Sequence, residues 1–93
     1  GNLVTIPSWN NKEDITIDSQ GKTMSKSGWL IVRQTDTITK YSLYVNDIEV
    51  AYIVGEYGVN HASDTITIPV NKGDVVRSSS RSWTGYFLPF INN

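Results

Sequence analysis

The chain contains no cysteine, one histidine, one methionine and three prolines in 93 residues. Without cysteine no disulfide can hold it together, and no Cys/His spacing suggests a structural zinc site. Apolar runs are only a few residues long, far short of the ~20 that a membrane helix requires. No signal peptide is visible. Charge of either sign is scarce and balanced, with 8 Lys+Arg against 9 Asp+Glu and a net charge of -1. The cations are scattered singly, which argues against a basic nucleic-acid surface. No stretch of helical length carries a 3.6-residue apolar period, and there is no internal repeat or low-complexity tract.

Short alternating runs divided by turn residues fill the space these absences leave. Lys40-Tyr41-Ser42-Leu43-Tyr44-Val45 leads into Asn46-Asp47, and Ile48-Glu49-Val50-Ala51-Tyr52-Ile53-Val54 follows. Period-two alternation puts every second side chain on one face of a strand, and Asn-Asp suits a two-residue hairpin turn. Asp64-Thr65-Ile66-Thr67-Ile68-Pro69-Val70 and the strand starting at Asp74 are expected to pair across Asn71-Lys72-Gly73. Residues 3–6 read as a first strand stopped by Pro7, and residues 8–14 as a loop. Ile15-Thr16-Ile17 and Lys22-Thr23-Met24 read as short strands, and Trp29-Leu30-Ile31-Val32 as a central strand buried on both faces. Residues 85–91 form the last strand. Pro89 cannot donate a ladder hydrogen bond, so this strand should lie at an edge or be interrupted there.

The prediction is one all-β domain over residues 1–93: an antiparallel two-sheet sandwich, jelly-roll-like, of about eight short strands. A domain of this size buries only about 60–65% of its unfolded surface. Lacking staples, it is expected to gain stability by associating with copies of itself. Because it begins Gly-Asn-Leu rather than with Met, the chain reads as a fragment of a longer protein, or Gly1 as the scar of a removed tag.

No catalytic signature overlies this pattern. Asp18, Asp36, Asp47, Asp64 and Asp74 sit where Asp stabilises turns, and adjacent Glu13 and Asp14 would face opposite ways on a strand. There is no Gly-x-Ser-x-Gly elbow and no phosphate-binding glycine loop. The expectation is a protein that is not an enzyme, with no cofactor and no metal. His61, the lone histidine, reads as a solvated loop residue.

The candidate ligand contacts are Trp9, Tyr57, Arg81 and Trp83, because aromatic rings among polar neighbours can stack on a sugar whose hydroxyls those neighbours bind. Trp29, inside an apolar strand, is assigned to the core. Arg77 and Arg81, with Lys26 or Lys72, offer cations to anionic sugars or phosphates of a cell envelope. Charge at a strand edge also blocks pairing with other chains. That is the reading for Lys72, whereas Arg81, close to Trp83, stays a ligand candidate.

Four segments in order resemble the C-terminal head domains of bacteriophage tail fibres. They are Ile6-Pro7-Ser8-Trp9-Asn10-Asn11-Lys12 with Ile15-Thr16-Ile17; Ser27-Gly28-Trp29-Leu30-Ile31-Val32; Tyr44-Val45-Asn46-Asp47-Ile48-Glu49-Val50; and Ile68-Pro69-Val70-Asn71-Lys72-Gly73-Asp74-Val75-Val76 with the closing Gly85-Tyr86-Phe87-Leu88-Pro89-Phe90. The resemblance implies a tumour-necrosis-factor-like jelly roll, a homotrimer at a virion tail tip outside the cell. Such a head attaches to a bacterial surface glycan or protein, with no nucleic-acid partner and no membrane insertion. Tyr86, Leu88 and Phe90 of the final strand are the candidate subunit interface. Two alternatives stay open: a monomeric carbohydrate-binding module of a larger secreted enzyme, with Trp9, Tyr57 and Trp83 on one platform, and a trimerisation cap that binds nothing.

Overall fold

The computed structural model describes residues 6–34, 40–54 and 64–91. After a 3-10 turn at Trp9–Asn11 come eight strands: β1 Glu13–Ile17, β2 Lys22–Thr23, β3 Gly28–Gln34, β4 Lys40–Val45, β5 Ile48–Val54, β6 Asp64–Val70, β7 Val75–Ser78 and β8 Trp83–Pro89. They form two four-stranded sheets, ordered β1-β8-β3-β6 and β2-β7-β4-β5, with every pair antiparallel. Apart from the β4–β5 pair, each strand passes to the opposite sheet from its predecessor. This double wrapping is the jelly-roll sandwich that the alternation predicted.

The β4–β5 hairpin turns on Asn46 and Asp47, both left-handed at φ 51° and 66°. That geometry matches the strand twist, and Asn and Asp tolerate it. A bulge follows, since Leu43 faces Ala51 while Tyr44 faces Glu49, which leaves Val50 as the extra residue.

Residues 71–73 make no hairpin. β6 pairs with β3, whereas β7 pairs with β2 and β4, so the turn is a corner between the two sheets. Its polar groups bond sideways rather than along a ladder. Gly73 N–H donates to the Met24 carbonyl at 2.8 Å, and Met24 N–H donates to the Asp74 carbonyl at 2.8 Å. Asn46 ties this corner to the hairpin. Its side-chain NH2 donates to Asp74 Oδ1 at 3.0 Å, and its Oδ1 accepts Val75 N–H at 2.9 Å.

Ile15, Ile17, Leu30, Val32, Trp83 and Phe87 from one sheet meet Tyr41, Leu43, Ile53 and Val76 from the other, forming one core. Half-buried Gly85 is required on β8, because a Cβ there would collide with the Ile31 carbonyl of the neighbouring strand. The buried amide of Gln34 donates to the Ser82 carbonyl at 2.8 Å, which fastens the β7–β8 connection to β3.

β3 is covered on one face only. Leu30 and Val32 are buried, while Trp29 and Ile31 are half-buried on the outer side and Arg33 is exposed. The expectation of burial on both faces fails because a sandwich has two layers, so each sheet keeps an outer surface. β8 is an internal strand between β1 and β3 rather than an edge. Pro89 is tolerated as its last residue, opposite Gly28 of β3; its carbonyl accepts Ser8 N–H at 2.7 Å. Of the predicted first strand, residues 3–5 lie outside the described residues. Ile6 belongs to no strand, though its carbonyl accepts Ile91 N–H at 3.1 Å, and Pro7 forms an isolated bridge with Phe90.

Candidate functional site

The leading segment runs beside the chain end after β8, with Pro7 bridging Phe90, and its residues line two recesses. Its 3-10 turn is closed twice: Asn11 N–H donates to the Ser8 carbonyl at 3.0 Å, and the Asn11 side-chain NH2 donates to Ser8 Oγ at 2.6 Å. A turn this tight sends neighbouring side chains to different sides. Trp9 borders one recess, while Asn11 and Lys12 border the other.

The first recess is an apolar groove of about 290 Å3 lined by Pro7, Trp9, Trp29, Ile31, Thr67 and Leu88. Trp29 and Leu88 are register partners on β3 and β8, so period-two geometry brings them together on the outer face. Trp29 meets the edge of Phe90, with ring centroids 6.2 Å apart at 88°. Trp9 is 69% exposed at the rim. Further along the same sheet, a recess of about 580 Å3 mixes Ile15, Ile31 and Val32 with Asp14, Arg33 and Tyr86.

The second recess is a cleft of about 450 Å3 lined by Ser8, Asn11, Lys12, Glu13, Lys26, Pro89, Phe90 and Ile91. Lys12 Nζ sits 4.1 Å from the centroid of the Tyr86 ring, a cation–π contact. Lys26 Nζ lies 3.7 Å from Glu13 Oε2, with both side chains about half exposed.

The predicted contact residues scatter. Trp9 is open at the groove rim. Arg81 is exposed in the β7–β8 connection, away from both recesses. Tyr57 and His61 lie outside the described residues. Trp83 is 0% exposed, and its Nε1 has no hydrogen-bond partner among the described residues. It fills the core and presents nothing to a ligand. The polar sequence around it misled, because Trp83 is already the first residue of β8 and faces Ile17 of β1 across the sheet. Of the three interface candidates, Tyr86 is exposed whereas Leu88 and Phe90 are buried within the subunit. The leading segment and Trp29 cover those two, leaving Leu88 only a share of the groove wall.

Trp29, assigned to the core by sequence, is instead a groove wall. Asn11, Lys12, Glu13 and Lys26 were missed as a group. The available signal was the polar stretch after Pro7 and the Ser25-Lys26-Ser27 stretch before Gly28, and their approach depends on β8 lying beside β1 and β3.

On the β2-β7-β4-β5 sheet, the Arg77 guanidinium stacks over Tyr44, 4.2 Å from the ring centroid, and its Nε meets Asp47 Oδ1 at 3.2 Å. Ile48, Val50 and Tyr52 are exposed along β5, the last strand of that sheet among the described residues. Among the described residues, no group of three or more His, Cys, Asp or Glu could hold a metal ion, and no helix is long and apolar enough to cross a membrane. No protein-family model, curated protein or solved structure matches the chain.

Proposed function

We propose that this chain is a non-enzymatic, homotrimeric head domain of a bacteriophage tail fibre that attaches the virion to a bacterial surface glycan or protein. The observation that carries the proposal is a pair of unlike apolar surfaces on one small domain. One is the groove with its open Trp9. The other is the exposed stripe of Ile48, Val50 and Tyr52 on β5. A two-fold dimer pairs one patch with itself, whereas two different patches that fit each other build a ring where the rotation closes and an open filament where it does not. Closure with three members is what the likeness to tail-fibre heads implies. The jelly-roll strand order agrees with that likeness.

The carbohydrate-module alternative needs Trp9, Tyr57 and Trp83 on one platform, and it loses Trp83 to the core. The cap alternative shares the assembly but forgoes the receptor. Light scattering on the purified domain tests the assembly, with three times the chain mass expected at micromolar concentration; a monomer overturns it. Adsorption of labelled domain to panels of bacteria tests the attachment. Binding to some strains and not others is expected, and adsorption to none favours the cap.

A further inference from the structure

We infer that the cleft between the leading segment, the start of β1 and the chain end after β8 is the receptor site, and that it takes an anionic saccharide. The inference rests on the attachment reading above and names its ligand class. The cleft has the size and the mix of surfaces that sugar sites need: about 450 Å3, a floor of Pro89, Phe90 and Ile91, and polar side chains around it. Ile91 is exposed and offers an apolar surface to the C–H face of a sugar ring. Asn11, held by Ser8 Oγ at 2.6 Å, keeps its side-chain oxygen available as an acceptor in a fixed place.

Charge selects the ligand. The lining carries Lys12 and Lys26 against the single carboxylate of Glu13, a local excess of one positive charge on a chain of net charge -1. Lys12 is placed by the Tyr86 ring rather than by a carboxylate, so its position costs no charge neutralisation. The Lys26–Glu13 pair is long, at 3.7 Å, and half exposed, so it contributes little and yields readily to a better anion. A uronate carboxylate or a phosphodiester on an envelope polysaccharide supplies that anion. Each lysine then makes a charge-assisted hydrogen bond while the sugar ring covers the floor.

Calorimetric titration of the intact chain with trigalacturonate, a glycerol-phosphate oligomer and maltotriose tests the site. At least one anionic probe is expected to bind about tenfold or more tighter than neutral maltotriose, and more weakly as salt rises. Lys12→Gln and Lys26→Gln should each weaken that binding about tenfold. Glu13→Gln should tighten it about threefold by releasing Lys26, an effect in the direction opposite to simple damage. Thermal melts and light scattering confirm that each variant keeps its fold and assembly. Equal affinity for maltotriose, no binding of either anionic probe, or indifference to both lysine changes overturns the site. Bacterial adsorption separates the two readings. A Lys12→Gln/Lys26→Gln double variant that adsorbs like the parent removes the cleft and leaves attachment standing, whereas a parent that adsorbs to no bacterium removes attachment itself.

Discussion

The two recesses beside the Trp9–Asn11 turn share a backbone segment and differ in almost everything else. The groove is walled by indole, aliphatic and proline surface, while the cleft three residues along is rimmed by two ammonium groups, an amide and a carboxylate. Apolar surface associates by leaving water, without direction and in proportion to area. Charged and polar groups contribute orientation and selectivity instead. One strap thus divides the surface into a part fit for holding copies together and a part fit for choosing a ligand. Both rest on the same rigid support, because Ser8 N–H is bonded to the Pro89 carbonyl and Pro7 bridges Phe90.

The sharpest way to break this comparison is to show that groove and core are one thing. Trp83→Ala, wholly inside the sandwich, is expected to destabilise the fold by about 3–5 kcal/mol in urea melts of a monomeric background. Trp83→Phe should cost much less, since it keeps most of the ring and deletes the unpartnered indole N–H. Trp9→Ser, by contrast, removes a ring that is mostly in water. It should leave monomer stability within about 1 kcal/mol and weaken association by about 2 kcal/mol or more per contact, read by sedimentation equilibrium. Equal damage to both quantities at Trp9 would merge groove and core.

Smaller effects come from the 71–74 corner and from the cleft, which lie at one end of the sandwich: Ser27 accepts Lys72 N–H at its Oγ and Phe90 N–H at its carbonyl. Asn46→Ala forces a residue without a local hydrogen bond into left-handed backbone and removes the links to Asp74 and Val75. About 1–3 kcal/mol of stability should go, measured by chemical denaturation, with association unchanged. Smallest is Glu13→Gln in the cleft, expected to alter folding stability by under about 1 kcal/mol, because the ion pair it breaks is solvated. Any larger loss would mean that the cleft serves the fold rather than a ligand.

What could be read in advance followed the range of the interactions. The β4–β5 hairpin was legible because its turn type is set by two adjacent residues whose chemistry permits positive φ. The 71–74 corner looked equally local and was misread. Its partners are Met24 and Asn46, far away in the chain, and they divert the strands to different sheets. Trp29 and Trp83 exchanged roles for a similar reason. Alternation says that successive residues face opposite ways but not which way is inward. That choice is made by the opposing sheet.

The amino-acid order alone determined the all-β class, the tight hairpin and the absence of any disulfide, because each depends on residue type or on spacing within a few residues. Tertiary structure decided which face of each strand meets water, that β8 lies between β1 and β3, and that Lys12 and Lys26 approach one cleft. Those outcomes require contacts between residues dozens of positions apart, and such contacts exist only once the two sheets have closed on each other.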